Sequence, residues 1–239
     1  MLKADLHIHT KGDPVDYFLE YTPQDIIKLA AKQKFDVLSF SWHHKVFETK
    51  PLQSYAKKYG ITLLQGTELS INKKHILLYN ITPQEAARVK SFEDLYALSD
   101  HVLIGAPHPF FILPSCLGNT VFEHAPLFDF MEHSHFYTKT INFNKKAARA
   151  AQQLQVPLVA NSDIHSLSWF GKEYTMIDAP PTVDGIIDAL KKKATGQNVK
   201  KVQAFSTPHP LSTFLKTSIL FAPKAVQYFL FQQGKKEDF

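Results

Sequence analysis

The stretch ADLHIHT, residues 4–10, carries an ionisable side chain at every second position: Asp5, His7 and His9. A leucine and an isoleucine fill the positions between them. Successive side chains of a strand point to opposite faces, so the stretch predicts a strand with one apolar face and one titratable face. We expect the apolar face to pack against a helical layer and the titratable face to have a function.

The composition is that of an ordinary globular protein. The chain has 239 residues, a length that suits one large domain or two small ones. Of these residues 44% are apolar and 21% are charged. A net charge of +5 permits an anionic substrate or nucleic acid but requires neither. The single cysteine, Cys116, excludes an internal disulfide framework, and no signal peptide pattern is visible, so we expect a cytoplasmic protein.

Strand and helix signals alternate along most of the chain. Strands are predicted at residues 1–9, 35–41, 61–69, 75–80, 101–107, 126–132, 156–163 and 173–178. Helices are predicted at residues 22–32, 51–60, 82–90, 91–99, 144–155 and 182–194. This alternation is typical of βα units with a mainly parallel sheet. The number of strands favours a barrel over an open doubly wound sheet, and no nucleotide-binding glycine motif is present.

The sequence changes character after residue 198. We therefore predict a barrel domain over residues 1–198 and a mostly helical C-terminal extension over 199–239 that packs on it. Residues 211–232 are apolar, but lysines and a proline interrupt them, which disfavours a transmembrane segment. Contact with a membrane surface or a partner is the alternative.

Histidines and carboxylates recur where the predicted strands end. They are His7, His9, His43, His44, Glu68, His108, Glu132, His133, His135, Asp163 and His165, while His75 begins a strand and is the exception. In a parallel barrel the C-terminal strand ends meet at one rim, where active sites lie. Each histidine alone is more often a structural residue, but their recurrence at so many strand ends predicts a common site.

Imidazoles and carboxylates without a thiolate cluster favour zinc, manganese or iron. The candidates outnumber the four ligands of one tetrahedral ion, so we predict two or three ions, with Glu68 as a bridging carboxylate. His7 with His9, and Asp163 with His165, are spaced two residues apart and can each point to one centre. Paired ions can orient a phosphate, generate hydroxide and stabilise a leaving oxygen.

Two other chemistries fit less well. Ser162 lies beside Asp163 and His165, but a serine triad would leave the remaining clustered groups unexplained, and no GxSxG motif is present. A nucleic-acid module would need clustered basic residues with exposed aromatic side chains. The aromatic residues of this chain fall mostly in apolar runs that are typical of a core.

Five short motifs resemble those of the PHP family, the metal-dependent phosphoesterases named for polymerase and histidinol phosphatase domains. They are DLHIHT, SWHH, GTE, APHP and NSDIH, and the resemblance covers residues 3–195. The resemblance implies an α/β fold, a distorted (β/α)7 TIM-like barrel, with a di- or trinuclear site of Mn, Fe or Zn. It also implies hydrolysis of phosphoesters.

Matched motif by motif, the resemblance implies a set of metal ligands. They are His7, His9, His43, Glu68, His108, Asp163 and His165. His75 stands where some small-molecule phosphatases of the family place a further ligand. The MEHSH segment offers Glu132, His133 or His135, of which Glu132 and His135 are taken as candidates.

Two motifs depart from the family pattern. The usual Ser-Asp-Gly after the first motif is replaced by KGDPVD, where Asp13 or Asp16 can supply the ligand and the spacing favours Asp13. Trp42 replaces the usual aspartate before His43, so one acidic contact is lost. This loss affects the tuning of the site more than its existence.

The predicted function is therefore metal-dependent hydrolysis of a small phosphorylated substrate. Glu68, Asp163 and His165 are the candidate catalytic residues, Lys11 and Lys45 could grip the phosphate, and Asp5 could orient an imidazole. One alternative is a metal-dependent nuclease, although nucleic acid is not the favoured partner. Another is a non-catalytic, metal-stabilised module whose residues 199–239 bind a partner. The sequence does not assign an oligomeric state.

Overall fold

The structure is a computed structural model that describes residues 1–191 and 197–210. Its strands are β1 (Leu2–Ile8), β2 (Val37–Phe40), β3 (Thr62–Leu63), β4 (Gly66–Ile71), β5 (Lys74–Tyr79), β6 (Leu103–Ala106), β7 (Phe130–His133), β8 (Leu158–Ala160), β9 (Tyr174–Ile177) and β10 (Val202–Phe205). Its α-helices are α1 (Pro23–Lys32), α2 (Lys50–Lys57), α3 (Pro83–Arg88), α4 (Phe92–Tyr96), α5 (Thr120–Glu123), α6 (Asn144–Leu154) and α7 (Val183–Leu190). Short 3₁₀ turns lie at Leu167–Trp169 and Gln197–Lys201.

The strands form two mixed five-stranded sheets, in the orders β10-β9-β1-β2-β3 and β4-β5-β6-β7-β8. Neighbours are parallel within β1-β2-β3 and within β6-β7-β8, and the remaining pairs are antiparallel. The predicted α/β class is confirmed. The predicted distorted (β/α)7 TIM-like barrel is not confirmed, because the ladders of the described residues form two separate sheets. Two isolated bridges, His43 with Glu68 and Phe47 with Gly66, join the segment after β2 to β4.

The single strand predicted over residues 61–69 is wrong. Residues of β3 pair with β2, whereas β4 starts at Gly66 and pairs antiparallel with β5. A Cβ at Gly66 would lie 2.7 Å from the Ser39 hydroxyl and 2.8 Å from the Tyr79 ring, so only glycine fits this close approach. The chain therefore changes sheets just before the carboxylate of Glu68.

A tight hairpin explains why β5 runs against its neighbours. Asn72 and Lys73 connect β4 to β5, and both have positive φ angles, 50° and 66°. Two consecutive left-handed residues are the geometry of a type I′ turn, whose twist matches that of the paired strands. This reversal brings the first residues of β5 to the edge where β6 ends, since Leu77 pairs with Gly105.

Helix starts follow the capping signals of the sequence. Thr22 accepts a hydrogen bond from the backbone N–H of Asp25 and the Asp25 carboxylate accepts one in return, with Pro23 at the first helical position. Ser91 and Asp94 form the same capping box at α4. The starts predicted for these two helices are confirmed.

The apolar face of β1 is covered by strands as well as a helix. Leu6 is fully buried in a cluster that contains Leu77 of β5, Phe130 of β7 and Ile186 of α7. The expectation that a helical layer alone covers this face is therefore too simple. A second cluster packs the other face of the β4–β8 sheet against helices α3 to α6, with Ile76 and Ile104 among its members.

Two compact units are distinguished by their internal contacts. The first comprises residues 1–135 and 143–207, and the second comprises residues 136–142 and the chain from 208 onward. Strand β10, which was not predicted, pairs antiparallel with β9 in the first unit. In the second, the backbone N–H of His209 donates to the carbonyl of Tyr137 at 2.8 Å. The division at residue 198 stays a prediction, and the apolar segment 211–232 lies outside the described residues.

No helix among the described residues is long and apolar enough to cross a membrane.

Candidate metal centre

The predicted ligands converge on one cluster of buried donor atoms. Four groups have all their donor atoms within 4.8 Å of one another: His9, Asp13, Asp16 and His43; His7, His9 and Glu68; His9, Asp163 and His165; and His43, Glu68 and His75. The groups share His9, His43 and Glu68, so they form one connected site. These residues come from six separate sequence segments.

Glu68 lies at the junction of this cluster. Its Oε2 is 3.0 Å from Nε2 of His43 and 3.3 Å from Nε2 of His7. Its Oε1 is 2.7 Å from Nδ1 of His75 and 3.5 Å from Nε2 of His108. One carboxylate therefore faces four imidazoles, which is the arrangement expected of a bridging ligand.

Both aspartates of the KGDPVD segment reach the cluster, whereas the sequence offered them as alternatives and its spacing favoured Asp13. Asp13 Oδ2 lies 2.9 Å from Nδ1 of His9 and 3.2 Å from Nδ1 of His43. Asp16 Oδ2 lies 3.0 Å from Nε2 of His165. Asp13 also accepts the backbone N–H of His43 at 2.9 Å, so it holds the loop as well as the imidazoles.

Side chains of the first and last motifs meet in the cluster. His9 Nε2 is 3.1 Å from His7 Nε2 and 3.2 Å from Asp163 Oδ1. The φ angles of Asp163 and His108 are positive, 42° and 30°. Non-glycine residues adopt such angles at a cost, and they concentrate at functional sites where the surroundings hold them.

His75, the exception in the sequence, belongs to the cluster because β5 is antiparallel. In a parallel strand its position at the strand start would lie at the opposite edge from the other candidates. The hairpin after β4 reverses the strand, and the imidazole rings of His75 and His108 lie 5.6 Å apart, centre to centre. The direction of β5 therefore decides that His75 joins the site.

Glu132 contacts the opposite edge of the His7 ring. Its Oε1 lies 3.1 Å from Nδ1 of His7 and accepts a hydrogen bond from Nδ2 of Asn161 at 2.8 Å. Its Oε2 accepts the backbone N–H of His108 at 3.0 Å. A carboxylate on Nδ1 fixes the ring so that Nε2 faces the cluster. These contacts favour a positioning role for Glu132, whose assignment as a ligand stays a prediction.

The other histidines of the predicted set lie further out. His135 Nδ1 is 3.8 Å from Asp163 Oδ2, at the margin of the cluster. His133 and His44 belong to none of the four donor groups, and His44 is exposed. The backbone N–H of His44 donates to the carbonyl of Glu68 at 2.9 Å, so the main chain of His44 holds the loop after β2 against β4.

Asp5 was expected to orient an imidazole, but its carboxylate bonds to backbone N–H groups instead. Its Oδ1 accepts backbone N–H groups of His7 at 3.3 Å and Ser162 at 3.1 Å. Burial raises the pKa of Asp5 to about 7, against the opposing effect of its hydrogen bonds. Asp5 therefore positions the two motif backbones rather than a ring.

Two further residues contact the cluster, and neither is among the predicted site residues. Asn161 accepts the backbone N–H of Leu6 at 2.9 Å while it donates to Glu132, so it connects β1 to the positioning carboxylate. Cys116 Sγ lies 3.4 Å from Nδ1 of His108. Asn161 is the first residue of the NSDIH motif, which was the available signal for it, whereas Cys116 stands in a loop without such a signal.

The two lysines predicted to bind phosphate lie in different environments. Lys45 Nζ lies 5.2 Å from the ring centre of Trp42, and Lys11 is exposed. Trp42 itself donates from Nε1 to the hydroxyl of Thr10 at 2.9 Å.

Carboxylates and imidazoles are neighbours throughout the cluster and shift one another's pKa values. Burial alone would raise the pKa of Glu68, but the charges of His75, His7 and other imidazoles outweigh it and hold the pKa well below its usual range. Burial alone would lower the pKa of His165, but Asp16 outweighs it and raises the pKa to about 9. At His75 the effect of burial outweighs the charge of Glu68, so the pKa of His75 is lowered.

The donor set fits divalent metal ions. Every ion pair that the described residues make with Asp13, Asp16, Glu68 or Asp163 involves a histidine, and none involves lysine or arginine. Four buried or largely buried carboxylates without a lysine or arginine partner need a positive charge, which protonated imidazoles supply without metal and bound cations would supply in their place. Imidazole and carboxylate donors without thiolates suit zinc, manganese or iron.

Part of the chain is similar to a known family and to one archaeal protein. The family described as PHP-associated matches residues 142–195. The uncharacterised protein MJ1587 of Methanocaldococcus jannaschii is 27% identical over 135 residues, which are 51% of this chain and 76% of that protein.

Solved structures share the fold at low sequence identity. PsfC from Pseudomonas syringae has a TM-score of 0.57 at 13% identity, over 98% of each chain. A Bifidobacterium adolescentis protein, provisionally a metal-dependent phosphoesterase, has a TM-score of 0.51 at 13% identity, over 68% of this chain and 87% of that one. An amidohydrolase from Chromobacterium violaceum with bound sulfate and no metal has a TM-score of 0.54 at 14% identity, over 84% of this chain and 97% of that one.

The match over residues 142–195 supports the resemblance to the PHP family drawn from the motifs, and the solved structures share the fold.

Proposed function

We propose that this protein is a metal-dependent phosphoesterase with a di- or trinuclear site. The observation that carries the proposal is the sharing of Glu68, His43 and His9 among neighbouring donor groups. Groups that share residues hold adjacent ions, and adjacent ions suit a phosphoester because attacking and leaving oxygens are both stabilised. The ligands would be His7, His9, Asp13, Asp16, His43, Glu68, His75, His108, Asp163 and His165, with His135 at the margin.

Divalent Mn, Fe or Zn, when bound, would supply Lewis-acid activation of water and of the phosphate oxygens. Glu68 holds the centre together, and Asp13 and Glu132 orient the rings of His9 and His7. Asp163 and His165 are the more accessible members, with 15% and 18% of their side chains exposed. We assign them to proton transfer, with a carboxylate oxygen of Asp163 accepting the proton of the attacking water.

The test combines metal analysis with a phosphate-release screen. Purified protein should hold two or three equivalents of Mn, Fe or Zn and hydrolyse 4-nitrophenyl phosphate, and His9→Ala should lose both properties. The screen should include histidinol phosphate, nucleotides, sugar phosphates and short oligonucleotides. Full activity in His9→Ala, or after chelation and removal of metal, would refute the proposal.

Two outcomes would point to the alternatives. A nuclease would prefer oligonucleotides over small phosphates, with binding that weakens steeply as salt rises. A non-catalytic module would hold metal without turnover of any phosphoester and would lose a stable partner when residues 199–239 are removed.

A further inference from the structure

The donor cluster is most open at the last motif. The side chains of His7, His9 and Glu68 are at most 2% exposed. The side chains of Asp163 and His165 are 15% and 18% exposed, the largest fractions among the proposed ligands. A substrate reaches the ligands from solvent, so we expect a phosphoester held at the cluster to extend its leaving group on the side of Asp163 and His165.

Two aromatic side chains lie on this open side. The ring centre of Phe18 is 6.5 Å from that of His165, and the two ring planes meet at 24°. The ring centre of Tyr17 is 6.2 Å from that of Phe18, and these planes are nearly perpendicular, at 79°. Phe18 is partly exposed, and Tyr17 is 76% exposed. Phe18 is therefore a direct neighbour of a donor imidazole, and Tyr17 extends the aromatic surface into solvent.

A tight turn holds the two rings in this position. The backbone N–H of Leu19 donates to the carbonyl of Asp16 at 3.0 Å, so Tyr17 and Phe18 are the central residues of a β-turn. Before the turn, the carboxylate of Asp16 lies 3.0 Å from Nε2 of His165. After the turn, the side chain of Leu19 is buried. The residues on both sides of the aromatic pair are therefore fixed.

The chain that follows the turn is anchored to the last motif as well. The hydroxyl of Tyr21 donates to the carbonyl of Ile164 at 2.9 Å, between Asp163 and His165. The backbone N–H of Lys11 donates to the carbonyl of Tyr21 at 2.8 Å, which closes the loop at its base. The aromatic turn is thus held next to the open side of the cluster.

Aromatic rings in a fixed position favour a flat partner. An aromatic ligand packs on them through offset or edge-to-face contacts, which a puckered saturated ring of the same size does not reproduce. Because backbone bonds already order the turn, a ligand loses less free energy in ordering it. A ring attached to a bound phosphate gains further, since the phosphate holds it near the turn.

We propose that Tyr17 and Phe18 bind a flat aromatic ring in the leaving group of the phosphoester and so select aromatic over saturated alcohols. The inference rests on the proposed function. Water adds to phosphorus, the bond between phosphorus and the ester oxygen breaks, and its electrons leave with that oxygen, which takes up a proton. The products are phosphate and the free alcohol, whose ring packs against the aromatic turn.

A matched pair of phosphonates tests the ring preference by binding alone. Benzylphosphonate and cyclohexylmethylphosphonate are similar in size, differ in a flat against a puckered ring, and have a carbon–phosphorus bond that is not hydrolysed. Calorimetric titration of the Mn²⁺-loaded wild-type protein should show about three- to tenfold tighter binding of benzylphosphonate, the range expected for an aromatic pair.

Tyr17→Leu and Phe18→Leu should each reduce this preference, and Tyr17→Leu changes an exposed position, so it should leave folding intact. Tyr96→Leu is the control, because Tyr96 is an exposed tyrosine at the end of α4, outside the turn and the donor groups. Equal binding of the two phosphonates by the wild-type protein, or an unchanged preference in both turn variants, would overturn the assignment.

A kinetic comparison separates this inference from the proposed function. Benzyl phosphate and cyclohexylmethyl phosphate are the corresponding esters, and Tyr17→Leu should lower the ratio of their kcat/KM values while Tyr96→Leu keeps it. Phosphate release with the same ratio in wild-type and Tyr17→Leu proteins would refute the leaving-group role and leave the phosphoesterase function intact. Binding of the phosphonates without phosphate release from any ester would refute the phosphoesterase function and the leaving-group role with it.

Discussion

The backbone N–H of Asp163 donates a hydrogen bond to the carbonyl of His7 at 2.8 Å. This bond joins the last metal-binding motif of the chain to the first. An isolated parallel bridge between Ile8 and Ile164 continues the contact. Main-chain bonds therefore set the two pairs of candidate ligands side by side, and their side chains are in contact as well, with His9 Nε2 3.2 Å from Asp163 Oδ1.

Glu68→Gln should abolish phosphate release and lower the bound metal by at least one equivalent. Glutamine has the same shape but removes the charge that faces four imidazoles. Elemental analysis and a phosphate assay measure the two effects. Glu93→Gln, on the exposed surface of α4, should change neither. Normal metal content in Glu68→Gln would contradict the bridging role.

Asp13→Asn and Asp16→Asn should differ in their effect on the metal-free protein. Asp13 accepts backbone N–H groups of His43, Val15 and Asp16, whereas the Asp16 carboxylate contacts imidazoles. Asp13→Asn should therefore lower the free energy of unfolding by about 1–3 kcal/mol in chelator at pH 7, and Asp16→Asn by less.

Both substitutions should reduce metal content, because both carboxylates contact imidazoles of one donor group. Urea unfolding in chelator and elemental analysis measure the two properties separately. Equal destabilisation by the two variants would show that the backbone contacts of Asp13 contribute little.

Glu132→Gln should weaken metal binding about 10- to 100-fold without preventing folding, as expected for a residue that orients a ligand. The glutamine can keep the hydrogen bond from His108 but loses the charge beside Nδ1 of His7. Competition with a fluorescent chelator measures the affinity. Glu123→Gln, at an exposed position of α5, is the matched control. An unchanged affinity in Glu132→Gln would remove the positioning role.

Glu173→Gln should stabilise the protein at high pH and change it little at pH 5. Glu173 is 0% exposed, and burial raises its pKa to about 8. The unfolded chain releases this proton near pH 4.5, so the stability linked to the neutral carboxyl falls as the pH rises towards 8.

Glutamine stays neutral at both pH values. Glu173→Gln should therefore raise the free energy of unfolding at pH 8 by about 2 kcal/mol or more beyond its effect at pH 5. Urea unfolding in chelator at the two pH values measures the difference. The same gain at both values would show that Glu173 is not held neutral.

Local signals predicted the elements better than their pairing. The capping boxes at Thr22 and Ser91 act within one helical turn, so the sequence reveals them directly. The turn at Asn72 and Lys73 lacks the glycine that usually marks a two-residue hairpin, so its reversal was not recognised. The strand break before Gly66 depends on contacts with Ser39 and Tyr79, which are distant in the sequence.

The sequence by itself determined the donor chemistry of the site. Side chains on alternate positions of a strand share a face, so the pairs His7 with His9 and Asp163 with His165 could be recognised without a fold. The choice of donor types also follows from residue identity alone, because imidazoles and carboxylates without thiolates restrict the metals that fit.

Only the tertiary structure decided how these donors are shared. It brought Asp16 in beside Asp13, reversed β5 so that His75 faces Glu68, and placed Glu132 behind His7. It also placed Sγ of Cys116 3.4 Å from Nδ1 of His108. These relationships depend on strand direction and on approach between distant segments. Since neither is encoded in any short stretch of residues, the sequence predicted the donors and the fold decided their roles.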